Sequence, residues 1–106
     1  MTELPLKGWP NDVIEDLVAC AARLITDKSI TGFYIGRTND LNATTRRHST
    51  DNVLALYETD SVNNAIEIEN NLIKVFFEHH KCKNENDHAG GGASDAYVNY
   101  VYLARW

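Results

Sequence analysis

The sequence lacks the features that mark several specialised classes of protein. Its 106 residues include two cysteines, two prolines and one methionine. No hydrophobic run approaches the roughly 20 residues that a transmembrane helix needs, and residues 1–10 lack the basic and apolar regions of a signal peptide. These absences predict a cytoplasmic, intracellular protein with reduced cysteines and no membrane partner.

Positive charge is also scarce. The chain has 10 lysine and arginine residues against 15 aspartate and glutamate residues, which gives a net charge of −5. This balance argues against broad, non-specific binding to nucleic acid, because a phosphate backbone is held by basic side chains. An enzyme that acts on nucleic acid would need its positive charge concentrated at one place.

What remains is typical of a single globular domain. Hydrophobic residues make up 43% of the chain and charged residues 24%, values that exclude collagen-like, low-complexity and disordered sequences. A chain of this length forms one domain, here residues 1–106, with one modest core.

Hydrophobic periodicity and turn residues divide the chain into alternating helices and strands. The order predicts an α/β (α+β) fold, in which three helices pack on a small three-stranded sheet that the C-terminal strand completes. The second strand is continuously apolar, so we expect it at the centre of the sheet. The helices are predicted from residue 10 to residues 27–29, over 41–48 and over 61–79, the strands over 30–36, 53–59 and 97–104, and a mobile polar loop over 81–94.

The third helix carries a carboxylate inside its apolar stripe. Glu69 lies four residues after Ala65 and three before Leu72, where the helical spacing calls for a core residue. A buried, unpaired carboxylate is costly, so Glu69 needs an arginine partner, a metal ion or a cleft open to water. Glu67 falls off the stripe and is expected in solvent. The predicted apolar face consists of Val62, Ala65, Ile66, Leu72, Ile73 and Phe76.

Residues 33–41, with the sequence FYIGRTNDL, resemble the second half of the signature of the GIY-YIG nucleases. In that family, Y-[IV]-G-x-T-x-[DN]-[LI] precedes an arginine and a histidine on the next helix. A later helix carries A-x-x-x-E-x-x-L-I. His48 lies at the family's histidine spacing, and residues 65–73 contain the glutamate pattern with Glu69. The match extends from residue 33 to about residue 77.

The family's first strand, which bears G-I-Y, has no counterpart directly before Tyr34. The first helix of this chain lies there instead. The last strand is the candidate for the missing one, so the sequence resembles a permuted member of the family. Tyr102 would then replace the first signature tyrosine, with Tyr100 as the other choice.

The family's catalytic arginine also lacks a direct match. Without a gap, Thr44 occupies its position. Arg47 lies one helical turn further along the same face, and an insertion would align it with the catalytic arginine at the expense of the histidine match at His48. Both alignments stay open at this point.

The resemblance implies an endonuclease that hydrolyses phosphodiester bonds in nucleic acid, most naturally DNA, with one divalent metal ion, Mg²⁺. The metal would be bound by Glu69. Tyr34 or Tyr102 would orient or deprotonate the attacking water, and an arginine would neutralise the phosphate. The implied catalytic residues are Tyr34, Tyr102, Arg47, His48 and Glu69, and the implied substrate contacts are Arg37, Arg46 and Asn84 or Asn86.

Two other functions are compatible with the sequence. Thr44 at the arginine position and the acidic net charge suit a catalytically degenerate module that binds nucleic acid or a protein without cutting. The aromatic C-terminal segment, which ends at Trp106, could instead pair with a second copy of the chain and form a homodimer.

Overall fold

The three helices begin where the sequence supplies suitable first residues. The computed structural model describes residues 3–87 and 97–106 of the chain. Helix α1 (Pro10–Ile25) starts at a proline, which has no N–H group to leave unpaired. Asp40 caps α2 (Leu41–His48) by accepting the Ala43 N–H at 3.1 Å, and Ser61 caps α3 in the same way.

The helix predictions are confirmed with two changes of length, and the first is that α1 ends at Ile25, before the predicted residues 27–29. The bounds of α2 agree with the prediction, but α3 (Val62–Phe76) ends three residues before the predicted end at residue 79. None of the helices in the described ranges is long and apolar enough to cross a membrane. Residues 88–94 of the predicted loop lie outside the described residues.

The C-terminal strand occupies the centre of a three-stranded antiparallel sheet. The strands are β1 (Phe33–Thr38), β2 (Val53–Thr59) and β3 (Asn99–Arg105), arranged in the order β1-β3-β2. The small α+β fold is therefore confirmed, as is the prediction that the last strand completes the sheet. Both edges of β3 are paired within the chain, so its backbone is not available to pair with a strand of a second copy.

The prediction that β2 is the central strand is wrong. It lies at an edge, and its apolar character has another source: the N-terminal segment runs beside its outer edge. The Leu6 N–H donates to the Leu56 carbonyl at 2.8 Å, and the Glu58 N–H donates to the Leu6 carbonyl at 3.0 Å. Leu56 and Tyr57 are fully buried, and all three helices also pack against β2.

The outer edge of β1 is covered in a similar way. The Phe33 N–H donates to the Lys81 carbonyl at 3.0 Å, and the Lys83 N–H donates to the Phe33 carbonyl at 2.8 Å. The strand also continues through Gly36, which was predicted to stop it. Gly36 is a glycine because the Tyr102 side chain of β3 lies against its Cα, and it pairs with Tyr102 as a regular member of the strand.

One continuous hydrophobic core forms between the sheet and the helices, with α3 against all three strands and α1 against α3 and β2. The buried face of α3 includes Ile68 in place of the predicted Ile66, because Ile68 is fully buried and Ile66 is not. Glu69 lies on this face with 5% of its surface exposed, and Glu67 is exposed. Both glutamate predictions are confirmed.

We expect Leu103→Ala to lower the free energy of unfolding by about 2–5 kcal/mol, because Leu103 is fully buried in the central strand and truncation leaves a cavity. Val75→Ala is the matched control, since Val75 is 55% exposed on α3, and it should change stability by no more than about 0.5 kcal/mol. Urea denaturation measures both. Equal effects of the two substitutions would contradict the central role of β3.

Candidate active site

The pairing of β1 with β3 places the Tyr102 ring across Gly36. The two residues are partners in the strand register, and a Cβ atom at Gly36 would lie 2.5 Å from the Tyr102 hydroxyl oxygen. Any other residue at this position would therefore displace the ring. Gly36 is required because the phenol passes directly over its backbone, and Tyr102 is 1% exposed there.

Helix α2 brings two polar side chains to the Tyr102 hydroxyl. Arg47 Nη2 donates to the hydroxyl oxygen at 3.1 Å, and His48 Nε2 lies 2.8 Å from the same atom. Thr44, on the same face of the helix, is 1% exposed. Thr44 therefore packs in the interior. Arg47 and His48 follow it by three and four residues, so they lie on the same face of α2 and also face β3.

Tyr34 completes this group of side chains. Its ring centroid lies 4.9 Å from that of His48 and 6.3 Å from that of Tyr102. The structure therefore brings together four of the predicted catalytic residues. We call Tyr34, Arg47, His48 and Tyr102 the Tyr102 cluster.

Glu69 forms a salt bridge with an arginine, Arg37. Arg37 Nε donates to Glu69 Oε1 at 3.2 Å, and the two side chains are only 11% and 7% exposed. Burial raises the pKa of Glu69, and the neighbouring guanidinium of Arg37 opposes that rise. Of the three partners considered from the sequence, an arginine is therefore present. Arg37, which was predicted to contact substrate, donates to Glu69, and its contact with substrate stays a prediction.

A cleft of 190 Å³ connects Glu69 to the Tyr102 cluster, because Tyr34 and Glu69 both line it. Lys83 and Asn84 lie on its wall as well. A larger groove of 540 Å³ lies beside Trp9 and shares no residue with this site. Of the candidate catalytic side chains, Tyr34 and Glu69 line the smaller cleft, and Tyr34 connects it to His48 and Tyr102 through its ring contacts.

The remaining predicted contact residues have different environments. The Asn84 side chain accepts the Ile35 N–H at 2.9 Å and donates to the Ile35 carbonyl at 2.8 Å, so it extends the covering of β1 and fixes one wall of the cleft. Asn86 is exposed and lines the cleft. Arg46 is exposed on α2 and takes no part in the hydrogen bonds of the Tyr102 cluster.

The environment of the cluster sets its protonation. Burial raises the pKa of Tyr102 to about 12, although the hydrogen bond and charge of Arg47 oppose the rise. Burial also raises the pKa of Tyr34, and Glu69 adds to the effect. For His48, burial and then the charge of Arg47 lower the pKa. At neutral pH both phenols are thus protonated and the imidazole is neutral.

This combination permits proton transfer within the cluster. The Tyr102 hydroxyl accepts from Arg47 and has its own proton to donate. A neutral His48 with an unprotonated Nε2 can accept that proton at 2.8 Å. Tyr102 alone would be a poor base at neutral pH, but Tyr102 and His48 together offer a path for one proton.

Two site residues were missed from the sequence. The Trp106 indole N–H donates to the His48 carbonyl at 3.2 Å, and its ring centroid lies 5.7 Å from that of His48. The Lys83 ammonium lies 5.1 Å from the Trp106 ring centroid. The one sequence signal for Lys83 was its position directly before the predicted Asn84. For Trp106, hydrophobic periodicity gave no reason to expect a position beside α2.

The described residues contain no group of three or more histidine, cysteine, aspartate or glutamate side chains placed to hold a metal ion. Glu69 offers one carboxylate at the cleft. A single carboxylate suits Mg²⁺, which commonly keeps several waters and uses substrate phosphate oxygens as further ligands. The Arg37 ion pair would have to share or release this carboxylate.

Comparisons of the chain with models of known protein families, with curated proteins and with solved structures find no match. The chemistry of the site therefore has to be argued from its own residues.

We expect the Arg37–Glu69 pair to show strong coupling in a double-mutant cycle. Arg37→Met and Glu69→Met should each lower the free energy of unfolding by about 3 kcal/mol, because each removes one member of a largely buried ion pair. The double variant replaces the pair by two apolar side chains and should lose much less than the sum. Urea denaturation at pH 7 measures the cycle. Additive losses would show that the two residues do not stabilise each other.

We also expect the pKa of His48, measured from its imidazole NMR signals, to lie below 6.5. Its depression means that the fold loses stability as the pH falls from 6.5 through the lower pKa of the folded state. Arg47→Ala should raise this pKa by removing one of its two causes, while burial still holds it down. Arg46→Ala, at the neighbouring exposed position, is the control, and an equal rise in both variants would contradict a specific effect of Arg47.

Proposed function

We propose that the protein is a metal-dependent endonuclease of the GIY-YIG type that hydrolyses phosphodiester bonds in DNA. One observation carries the proposal: the Tyr102 hydroxyl lies between Arg47 and His48. Tyr34, beside it, lines the same cleft as Glu69. Side chains that the nuclease resemblance selected from distant parts of the sequence are therefore neighbours in the fold.

In the proposed reaction, a water oxygen forms a bond to phosphorus and the bond to the leaving oxygen breaks. The water proton passes to the Tyr102 oxygen as the Tyr102 proton passes to His48 Nε2, and the leaving oxygen takes a proton from solvent. Arg47 stabilises the negative charge that develops on the Tyr102 oxygen during this transfer. Tyr34, whose pKa is raised, keeps its proton and can orient the water by a hydrogen bond.

Glu69 is the residue that would hold Mg²⁺. When bound, the metal would neutralise charge on the scissile phosphate and on the leaving oxygen. The role of Arg37 in this proposal is to hold the Glu69 carboxylate in place, since burial alone would favour its protonated form.

The proposed setting is the inside of the cell. Cys20 and Cys82 are both free thiols, which suits a reducing compartment. The acidic net charge implies that DNA is held by local positive charge at the cleft. Association into a homodimer stays a prediction, and sedimentation over a range of concentrations would test it.

A second candidate function is binding without cleavage. The Arg37–Glu69 ion pair favours it, because an arginine at 3.2 Å competes with a metal ion for the same carboxylate. In this case the cleft would bind a nucleic-acid end or a protein partner, and Glu69 would serve only to stabilise the fold.

The test is cleavage of labelled branched and single-stranded DNA with and without Mg²⁺. We expect Mg²⁺-dependent cleavage by the wild type, its loss in Glu69→Gln, and a rate lower by about 10²- to 10³-fold in Tyr102→Phe and in Arg47→Ala. The rate should rise with pH up to the pKa of His48, which lies below 6.5, and then level off because His48 must be neutral to accept a proton.

Lys28→Ala, at an exposed position outside the cleft, is the control and should keep the wild-type rate. No cleavage by the wild type, or equal cleavage by Glu69→Gln, would rule out the nuclease. Tight DNA binding without cleavage, retained in Glu69→Gln, would favour the second candidate.

A further inference from the structure

Lys83 is held in a defined position beside the cleft. Its backbone N–H donates to the Phe33 carbonyl at 2.8 Å, and its aliphatic stem crosses Gly32 so closely that a Cβ atom there would overlap Lys83 Cε. Its ammonium group lies 5.1 Å from the Trp106 ring centroid. Lys83 is exposed, yet its backbone hydrogen bond, its contact with Gly32 and its contact with Trp106 together define where the side chain lies.

Trp106, whose ring lies under the Lys83 ammonium group, is itself held by hydrogen bonds. The Trp106 N–H donates to the Gly32 carbonyl at 2.9 Å, and the Trp106 carbonyl accepts from the Thr31 N–H. Its indole N–H is bonded to the His48 carbonyl at 3.2 Å. The ring therefore has little freedom to move, and it lies between Lys83 and the Tyr102 cluster.

Lys83 is also the one cationic side chain that lines the cleft among the residues that the structure describes. The lining includes two carboxylates, Glu69 and Glu85, and no arginine. Arg37 donates to Glu69, and Arg47 donates to Tyr102. A phosphate that enters the cleft between these acidic groups requires a positive partner, and Lys83 lines the same space.

We propose that Lys83 binds a backbone phosphate of the nucleic acid that enters the cleft, and that Trp106 holds the ammonium group near this position while the cleft is empty. The inference rests on the proposed function and names a substrate contact within it. An exposed cation–π contact is weak compared with a charge-assisted bond to phosphate. The ammonium group can therefore leave the ring when a phosphate arrives, while the stem keeps its place across Gly32.

The test is the salt dependence of binding to a fluorescent 12-nucleotide single strand of thymidines, measured by anisotropy in EDTA so that no cleavage occurs. Each phosphate neutralised on a single strand contributes about 0.7 to the slope of log K against log salt. Lys83→Met should lower the magnitude of the slope by about 0.7, and Lys83→Arg should restore it. Lys28→Met removes an exposed lysine outside the cleft and should leave the slope unchanged.

Trp106 provides a second measurement. The chain has two tryptophans, so Trp9→Phe leaves Trp106 as the only one. Oligonucleotide should then change the Trp106 emission when Lys83 is present, because the cation leaves the ring, and should not change it in the Lys83→Met form.

The outcomes separate this inference from the proposed function. Wild-type binding with the same slope in Lys83→Met, or an equal loss in Lys28→Met, would overturn the role of Lys83 and leave the nuclease proposal standing. If oligonucleotide changed the Trp106 emission in the Lys83→Met form as much as in the form that retains Lys83, the release of the cation from the ring would be overturned. Failure of the wild type to bind the strand at any salt concentration would overturn the role of Lys83, whereas the nuclease proposal is overturned by the absence of cleavage in Mg²⁺.

Discussion

The position of β3 between β1 and β2 is the constraint on which the rest of the molecule depends. The two outer strands are paired with β3 and not with each other, so every ladder of the sheet includes the last strand of the chain. The same strand carries Tyr102 to the point where α2 presents Arg47 and His48. Fold and candidate site are therefore coupled: a change that disturbs β3 disturbs the Tyr102 cluster and the core together.

Local signals were enough to predict most elements of the fold. Cap residues and apolar spacing act within a few residues of one another, and they placed α2 and the start of α3 correctly. They also placed Glu69 on a buried face. The position of β2 could not be obtained in this way, because its outer edge is covered by Leu6, about fifty residues earlier in the chain, and an apolar run does not reveal which neighbour covers it.

The candidate site was predictable to a smaller extent. Motif spacing selected Tyr34, His48 and Glu69, and helix geometry limited the arginine to positions near Arg47. The pairing of Arg37 with Glu69 was not foreseen, because it depends on how β1 lies against α3. The contacts of Asn84 and Lys83 with the edge of β1 depend in the same way on the path of the chain after α3, for which the sequence offers no periodic signal.

The covering of both outer strands has a consequence for the behaviour of the protein in concentrated solution. A three-stranded sheet would ordinarily present two rows of unpaired backbone groups, which invite strands from other molecules. Here Leu6 occupies part of one row, while Lys81, Lys83 and the side chain of Asn84 occupy part of the other. At these places another molecule could extend the sheet only after one of the covering segments detached, so both segments oppose aggregation, and the one beside β1 also lines the candidate site.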